Sequence, residues 1–223
     1  MQFVYDKNCK DNMLKITDEN YNYIIKARRH KLEDKIYFRN LEDDFLYLYK
    51  LIHIDKKSAL FELINSEKKI LENRRKLHLA WCIVEPKTIY ENIPYLNEIG
   101  IDKISFVYSD FSQKNFKINL EKLEKILISS STQCGRSSLI QTDFFRNLSE
   151  FIKHYPNSYF LDFSTNSIES NKEDIQTLII GPEGGFSNKE RELFVENRVV
   201  GLNSALILKS ETAIIAASSK IIL

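Results

Sequence analysis

The sequence predicts an α/β protein with a strand-rich region in front of it, and two patterns carry that expectation. From about Leu77 onward, short apolar runs alternate with longer amphipathic stretches, the order that wraps helices around a parallel sheet. Before residue 67, aromatic and β-branched runs follow one another across charged turns, with one helical stretch among them. The charged link 65–76 separates the two, giving domains at residues 1–67 and 68–223.

In the first region Lys35–Arg39, 45–52 and 58–64 read as strands, and 19–29 as a helix. A small β-barrel is the natural way to close such strands. In the second region 77–84, 104–108, 158–162 and Thr177–Ile180 read as strands, and 88–99 and 119–130 as helices.

Six glycines occur in 223 residues, and Gly181, Gly184 and Gly185 fall together after the last of those strands. Ser187 followed by Glu190 has the spacing of a capping box, so a helix is expected from Asn188. Strand, glycine loop and capped helix together present backbone N–H groups to a ligand. The dinucleotide fingerprint fails at Pro182-Glu183, and the phosphate-loop Lys-Ser/Thr pair is absent at Phe186-Ser187. Glu183 would also repel a polyphosphate, so a neutral or cationic ligand fits better. The bare alternative is a tight strand-to-helix turn with no ligand.

Composition excludes more than it assigns. Lys and Arg number 32 against 31 Asp and Glu, so bulk charge does not announce a nucleic-acid protein. Any RNA contact must rest on local clusters such as Lys26-Ala27-Arg28-Arg29-His30-Lys31 or Asn73-Arg74-Arg75-Lys76. Such clusters are also ordinary solvated faces. Cys9, Cys82 and Cys134 are odd in number and widely spaced, which suits reduced thiols. The four histidines show no metal-ligand spacing, so no metal is expected. No apolar run reaches bilayer length and the first residues lack a signal core, so the expectation is a cytoplasmic protein without a membrane partner.

Three motifs carry a resemblance. Gly181 to Glu190 reads Gly-Pro-Glu-Gly-Gly-Phe-Ser-x-x-Glu. Ile207, Leu208, Glu211, Thr212 and Ala213 fit a later Ile-Leu-Arg-x-Glu-Thr-Ala segment, and Gln133-Cys134-Gly135-Arg136 forms a third match. Together they resemble the SPOUT superfamily of RNA methyltransferases, and within it the bacterial family that methylates N3 of a uridine in 16S ribosomal RNA, the small subunit methyltransferase E type. The chain departs from that pattern at Ser204, Leu206 and Lys209, where glycine and two arginines are usual, and at Ile140, where a proline is usual. Leu206 cannot imitate a planar multi-donor cation.

The resemblance implies a PUA-like barrel at 1–67, a SPOUT domain with a C-terminal trefoil knot at 68–223, S-adenosylmethionine as cofactor, and a homodimer acting on 16S rRNA or the assembled small subunit. General topology argues against knots; the resemblance argues for this one. It implies three loops around the cofactor: Leu161 to Phe163; Ile180, Gly181, Pro182, Glu183, Gly184 and Gly185; and a third containing Leu202, Asn203, Leu206, Ile207 and Leu208. Leu206 and Leu208 are candidate adenine walls or plain core leucines. N3 chemistry needs a cation at the uracil oxygens and a proton acceptor, and Lys209, Glu211 and Thr212 are the candidates. Glu211-Thr212 reads equally as a helix N-terminal cap. Lys26, Arg28, Arg29 and Arg136 are the candidate RNA contacts. A catalytically degenerate RNA-binding module is the other reading.

Overall fold

The computed structural model describes residues 2–223, which divide into two compact units, the first comprising residues up to 72 with 128–139 and the second 73–127 with 140–223. In the first unit, β1 (Val4–Tyr5), β2 (Met13–Thr17), β3 (Lys35–Arg39), β4 (Phe45–Ile54) and β5 (Ser58–Lys68) form one sheet in the order β1-β3-β4-β5-β2. β1 runs parallel to β3, and the other pairs are antiparallel. The sheet curls as a half-barrel whose edges are β1 and β2. Register shifts at Leu48/Tyr49 and Leu51/His53 bend the long β4–β5 hairpin. Inside the curl the ring of Phe38 meets Tyr49 and Phe61 edge-on, each at 5.4 Å.

The helix expected over 19–29 is shorter and wider. α1 (Asp18–Tyr21) passes into Asn22–Ala27, where the winding loosens and the Arg28 N–H reaches back to the Tyr23 carbonyl at 2.9 Å. Tyr21 and Ile24 stay buried, and Lys26, Arg28 and Arg29 stay exposed. Arg39 is 1% exposed and fastens the sheet internally. Its guanidinium donates to the carbonyls of Phe45 (3.3 Å) and Lys69 (2.6 Å) and lies over the Phe3 ring. Burial lowers its pKa against the pull of Asp43 and Asp44.

The second unit alternates as expected. Its strands are β6 (His78–Cys82), β7 (Lys103–Val107), β8 (Gln141–Phe145), β9 (Tyr159–Leu161), β10 (Thr177–Ile180) and β11 (Val199–Val200). They form a six-stranded sheet in the order β11-β9-β10-β6-β7-β8, with every neighbouring pair parallel. The helices are α2 (Pro86–Ile99), α3 (Leu120–Cys134, counted with the first unit from Ile128), α4 (Leu148–His154), α5 (Ile168–Asn171), α6 (Asn188–Arg191) and α7 (Ser210–Ile222). Leu79, Ala80, Trp81, Ile104, Phe106, Leu178 and Ile179 are fully buried, the near-continuous apolar lettering of strands covered on both faces. β6, β7 and β8 step in one direction, and the chain then returns to the other side of β6 for β9, β10 and β11. That reversal sets the carboxyl ends of β9, β10 and β11 side by side, where open parallel sheets receive ligands.

The opposite end of the sheet holds a closed polar network. Ser105 donates to Asp143, so the His78 Nε2–H must donate to Ser105 Oγ, 2.7 Å away. Lys103 pairs with Asp143 at 2.6 Å and donates to the Tyr155 hydroxyl, and the rings of Phe151 and Tyr155 pack on His78. Burial, and then Lys103, push the His78 pKa down to about 4, against Asp143 and Asp102.

Between pH 4 and the unfolded value near 6.5 the native state therefore binds fewer protons at His78 than the unfolded chain does. The stabilisation is complete above that window and is lost as pH falls through it, at about 1.4 kcal/mol per unit. Urea midpoints should drop from pH 7 to pH 4.5 in the wild type and change less in His78→Phe. An equal drop in both would assign the loss elsewhere. Asp34, Asp43 and Glu169, all held below the ordinary carboxylate range, act at lower pH.

Candidate functional site

The loop after β10 is built as its sequence indicates. Ser187 Oγ accepts from the Glu190 N–H, and the Glu190 carboxylate accepts from the Ser187 N–H, completing the capping box that starts α6. The other Glu190 oxygen accepts from the Asp110 N–H at 2.9 Å, and Ser187 donates to the Asp110 carboxylate at 2.6 Å. Glu190 is thus buried with its oxygens in use. Gly185 closes the loop at φ +69°, a left-handed conformation that a β-branched residue resists. Its N–H donates to the Pro182 carbonyl at 2.9 Å.

The loop after β9 is tied to β11. Asp162 donates its N–H to the Val200 carbonyl, and its carboxylate takes a two-pronged grip from Arg191 at 2.6 and 3.3 Å. Arg191 also donates to the Phe186 carbonyl, so one side chain joins two of the loops. Gly201 lies so close to Ser164 that a Cβ would collide with its carbonyl oxygen.

After β11 the segment 202–209 returns to the sheet. Asn203 takes φ +50°, and Ser204 Oγ bonds both the N–H and the carbonyl of Leu206. Ser210 then donates its hydroxyl to the Gly181 carbonyl at 2.7 Å and accepts the Trp81 indole N–H at 2.9 Å. Ser210 and Trp81 are both buried.

These three loops enclose a cavity of about 820 Å³. Leu161, Ile180, Gly181, Pro182, Glu183, Gly184, Gly185, Leu202, Asn203, Leu206, Ile207 and Leu208 all line it, as does Phe163. The wall also includes Asp162, Arg191 and Ser210. Sequence reasoning missed Arg191 and Ser210, whose partners lie 29 residues away. Among the described residues the N–H groups of Glu183, Gly184, Asn203 and Leu208 donate to no protein acceptor. Leu206 is 75% exposed, a cavity rim and no core leucine.

The candidate catalytic residues are not gathered there. Lys209 is the exposed N-cap of α7. Glu211 and Thr212 line a separate groove of about 570 Å³ between α2 and α7, with Asn92, Tyr95, Glu98 and Ile215. One Glu211 carboxylate oxygen is buried without a hydrogen-bond partner. Helical phase explains the split: Ser210 and Ala213 face the cavity, while Glu211, Thr212 and Ile215 face the groove.

The candidate RNA contacts sit on the first unit. Lys26 lies over the Tyr21 ring, and Arg28 over Tyr23 while donating to its hydroxyl at 2.7 Å. Arg29 takes φ +59°. Arg136 is 7% exposed and donates weakly to Ser138 at 3.4 Å. Among the described residues no group of three His, Cys, Asp or Glu side chains could hold a metal, and no helix is long and apolar enough to cross a membrane.

The chain matches an RNA methyltransferase domain over residues 71–222 and an RNA methyltransferase PUA domain over residues 16–64. It is 40% identical over 222 residues to the ribosomal RNA small subunit methyltransferase E of Helicobacter pylori (strain ATCC 700392 / 26695), covering 98% of each chain. Its fold is shared with a probable rRNA-methyltransferase from Porphyromonas gingivalis (TM-score 0.82, 21% identity, 99% and 97% of the two chains). It is also shared with a ribosomal RNA small subunit methyltransferase E from Neisseria gonorrhoeae solved bound to S-adenosyl methionine (TM-score 0.77, 18% identity, 98% and 95%). A first-unit half-barrel, a second-unit parallel sheet and this degree of likeness along the whole chain place the protein in the RNA methyltransferase family of the ribosomal RNA small subunit methyltransferase E proteins.

Proposed function

We propose that this protein transfers a methyl group from S-adenosylmethionine to N3 of a uridine in 16S ribosomal RNA, in the cytoplasm. The observation that carries the reading is the cavity itself. Its three loops combine apolar walls with unengaged backbone N–H groups, the mixture needed for a ligand with an adenine, a ribose and an amino-acid tail. Leu206 and Leu208 supply adenine walls, and Glu183 adds a carboxylate suited to a cationic ligand. The bound cofactor would supply an electrophilic methyl group on a sulfonium. The relatives named for rRNA methylation, and the fold neighbour that holds S-adenosyl methionine, support the same reading.

The segment 202–209 supports a trefoil knot. The chain leaves β11 beyond β9, then crosses the strand ends to bond Gly181 and Trp81 through Ser210. Residues 1–67 serve as the RNA-binding domain and 68–223 as the methyltransferase domain. Lys26, Arg28 and Arg29, all exposed, provide the RNA contacts on rRNA or the assembled subunit, and Arg136, buried at 7% exposure, would join them only through its exposed edge.

Removing the N3 proton leaves negative charge on the uracil oxygens, and we assign the exposed Lys209 at the start of α7 as the cation that offsets it. Glu211 and Thr212 open on the α2–α7 groove, so they act across a homodimer seated there. The exposed Leu206 favours the alternative of an RNA-binding protein that has lost turnover, because it brings no charge to the cavity.

Titration with S-adenosylmethionine should give one site per subunit in the wild type and none in Gly185→Val, whose left-handed backbone a β-branched residue resists. Equal binding by both would remove the glycine loop from the site. Incubation with 16S rRNA and small subunits, followed by nucleoside mass spectrometry, should yield N3-methyluridine. Donor binding with no product selects the degenerate module, and methylation at another atom sinks the N3 assignment. Replacing Arg28 and Arg29 with alanine should weaken RNA binding and flatten the log affinity–log salt slope by roughly 0.7–0.9 per lost phosphate contact. An unchanged slope would clear that cluster.

A further inference from the structure

We infer that Phe163 is a specificity residue that stacks on the substrate's unpaired base at the mouth of the cavity, an assignment that rests on the RNA methyltransferase reading above. Three observations lead there. The ring is 76% exposed although it belongs to the cavity wall. Its backbone is nevertheless fixed: the Phe163 N–H donates to Asp162, which Arg191 grips and whose own N–H is bonded to Val200. The residues that follow are tied to β11 and its extension, Ser164 and Asn166 through the Val199 carbonyl and Asn166 through the Gly201 N–H.

The polar groups of this loop are therefore largely spent on its own neighbours. What it still offers is one flat apolar face on a rigid support. The unengaged N–H groups lie instead on the glycine loop and on 202–208, where a hydrogen-bonding ligand would settle against the buried Ile180 and Pro182. A second exposed ring, Phe111 at 55%, packs outside Gly184 on the glycine loop. The glycine loop and 202–208 are thus polar-capable, and among the exposed rim side chains Phe163, Leu206 and Ile207 only Phe163 presents an aromatic face. A methyl acceptor must arrive from the rim. An aromatic face without hydrogen-bonding partners suits a planar base drawn out of its stack, because every base has a π-face.

The test separates RNA from cofactor. For wild type, Phe163→Ala and Phe163→Trp, KM for 16S rRNA would be measured by methyl transfer, and Kd for S-adenosylmethionine and S-adenosylhomocysteine by calorimetry. The expected result is a KM for RNA raised on the order of 10-fold in Phe163→Ala, restored toward wild type in Phe163→Trp, with both cofactor affinities unchanged. A parallel loss of both cofactor affinities would move the ring to the adenine wall and overturn the inference. A loss confined to the sulfonium form would make it a cation–π contact to the cofactor and overturn it equally. A Phe163→Ala protein matching wild type throughout would overturn this inference alone. A wild type that binds cofactor but methylates no rRNA would overturn the functional reading, and this inference with it.

Discussion

The hydroxyl of Ser210 is where the architecture of the second unit and its cavity meet. It receives the indole N–H of Trp81 from the middle of the sheet and passes its own proton to the carbonyl of Gly181 at the start of the glycine loop. Water cannot readily replace Ser210 at the indole, since Trp81 and Ser210 are buried, while Gly181 is half-buried at the cavity wall. Losing a buried hydrogen-bond partner costs about 1–3 kcal/mol for each group stranded. Ser210 is also the first residue of α7, so one oxygen fixes the loop, the returning chain and the helix that forms the wall of the neighbouring groove. Arg191 makes the corresponding tie on the other side, joining Asp162 to the Phe186 carbonyl.

The two units divide the electrostatic work. A net charge of +1 cannot draw in a polyanion by itself. The first unit carries a compact basic group in which Lys26 and Arg28 lie over tyrosine rings and stay exposed. The second unit spends its charges inward: Asp162 on Arg191, Asp143 on Lys103, Glu190 on backbone N–H groups. Its cavity combines apolar side chains and bare peptide groups with the Glu183 carboxylate, which suits a small ligand better than a phosphate.

The sequence was most legible where chemistry is local. Thr177–Ile180 and the capping box at Ser187 and Glu190 need only neighbours a few residues apart, and the strand and helix start lie where those signals put them. β8 and α4 went unseen because Gln141, Thr142 and Asp143 make a polar strand, and α4 has only seven residues. β2 has only five residues, and the exposed apolar Met13 blurs the alternation of Leu14 and Ile16 with Lys15 and Thr17. At the site, the glycine loop was readable from its own residues, whereas the other two loops came only with the family resemblance. The Arg191–Asp162 grip was not, because nothing in either residue's surroundings names the other. Glu211 and Thr212 carried a familiar pattern, yet their direction depends on the phase of α7, which the motif alone does not give.

The register of the central strands has a consequence for how such a protein comes into being. His78 of β6 lies beside Thr177 of β10, so the middle seam of the sheet joins residues separated by most of the second unit. Pieces such as β6, α2 and β7 are contiguous and can associate while synthesis proceeds, but the long-range seam carries a loop-closure cost that delays it. The cavity needs that seam, then β11, then Ser210 brought back to Gly181. Its walls therefore come together only after the long-range seam has closed, since Ser210 reaches Trp81 across 129 residues of chain.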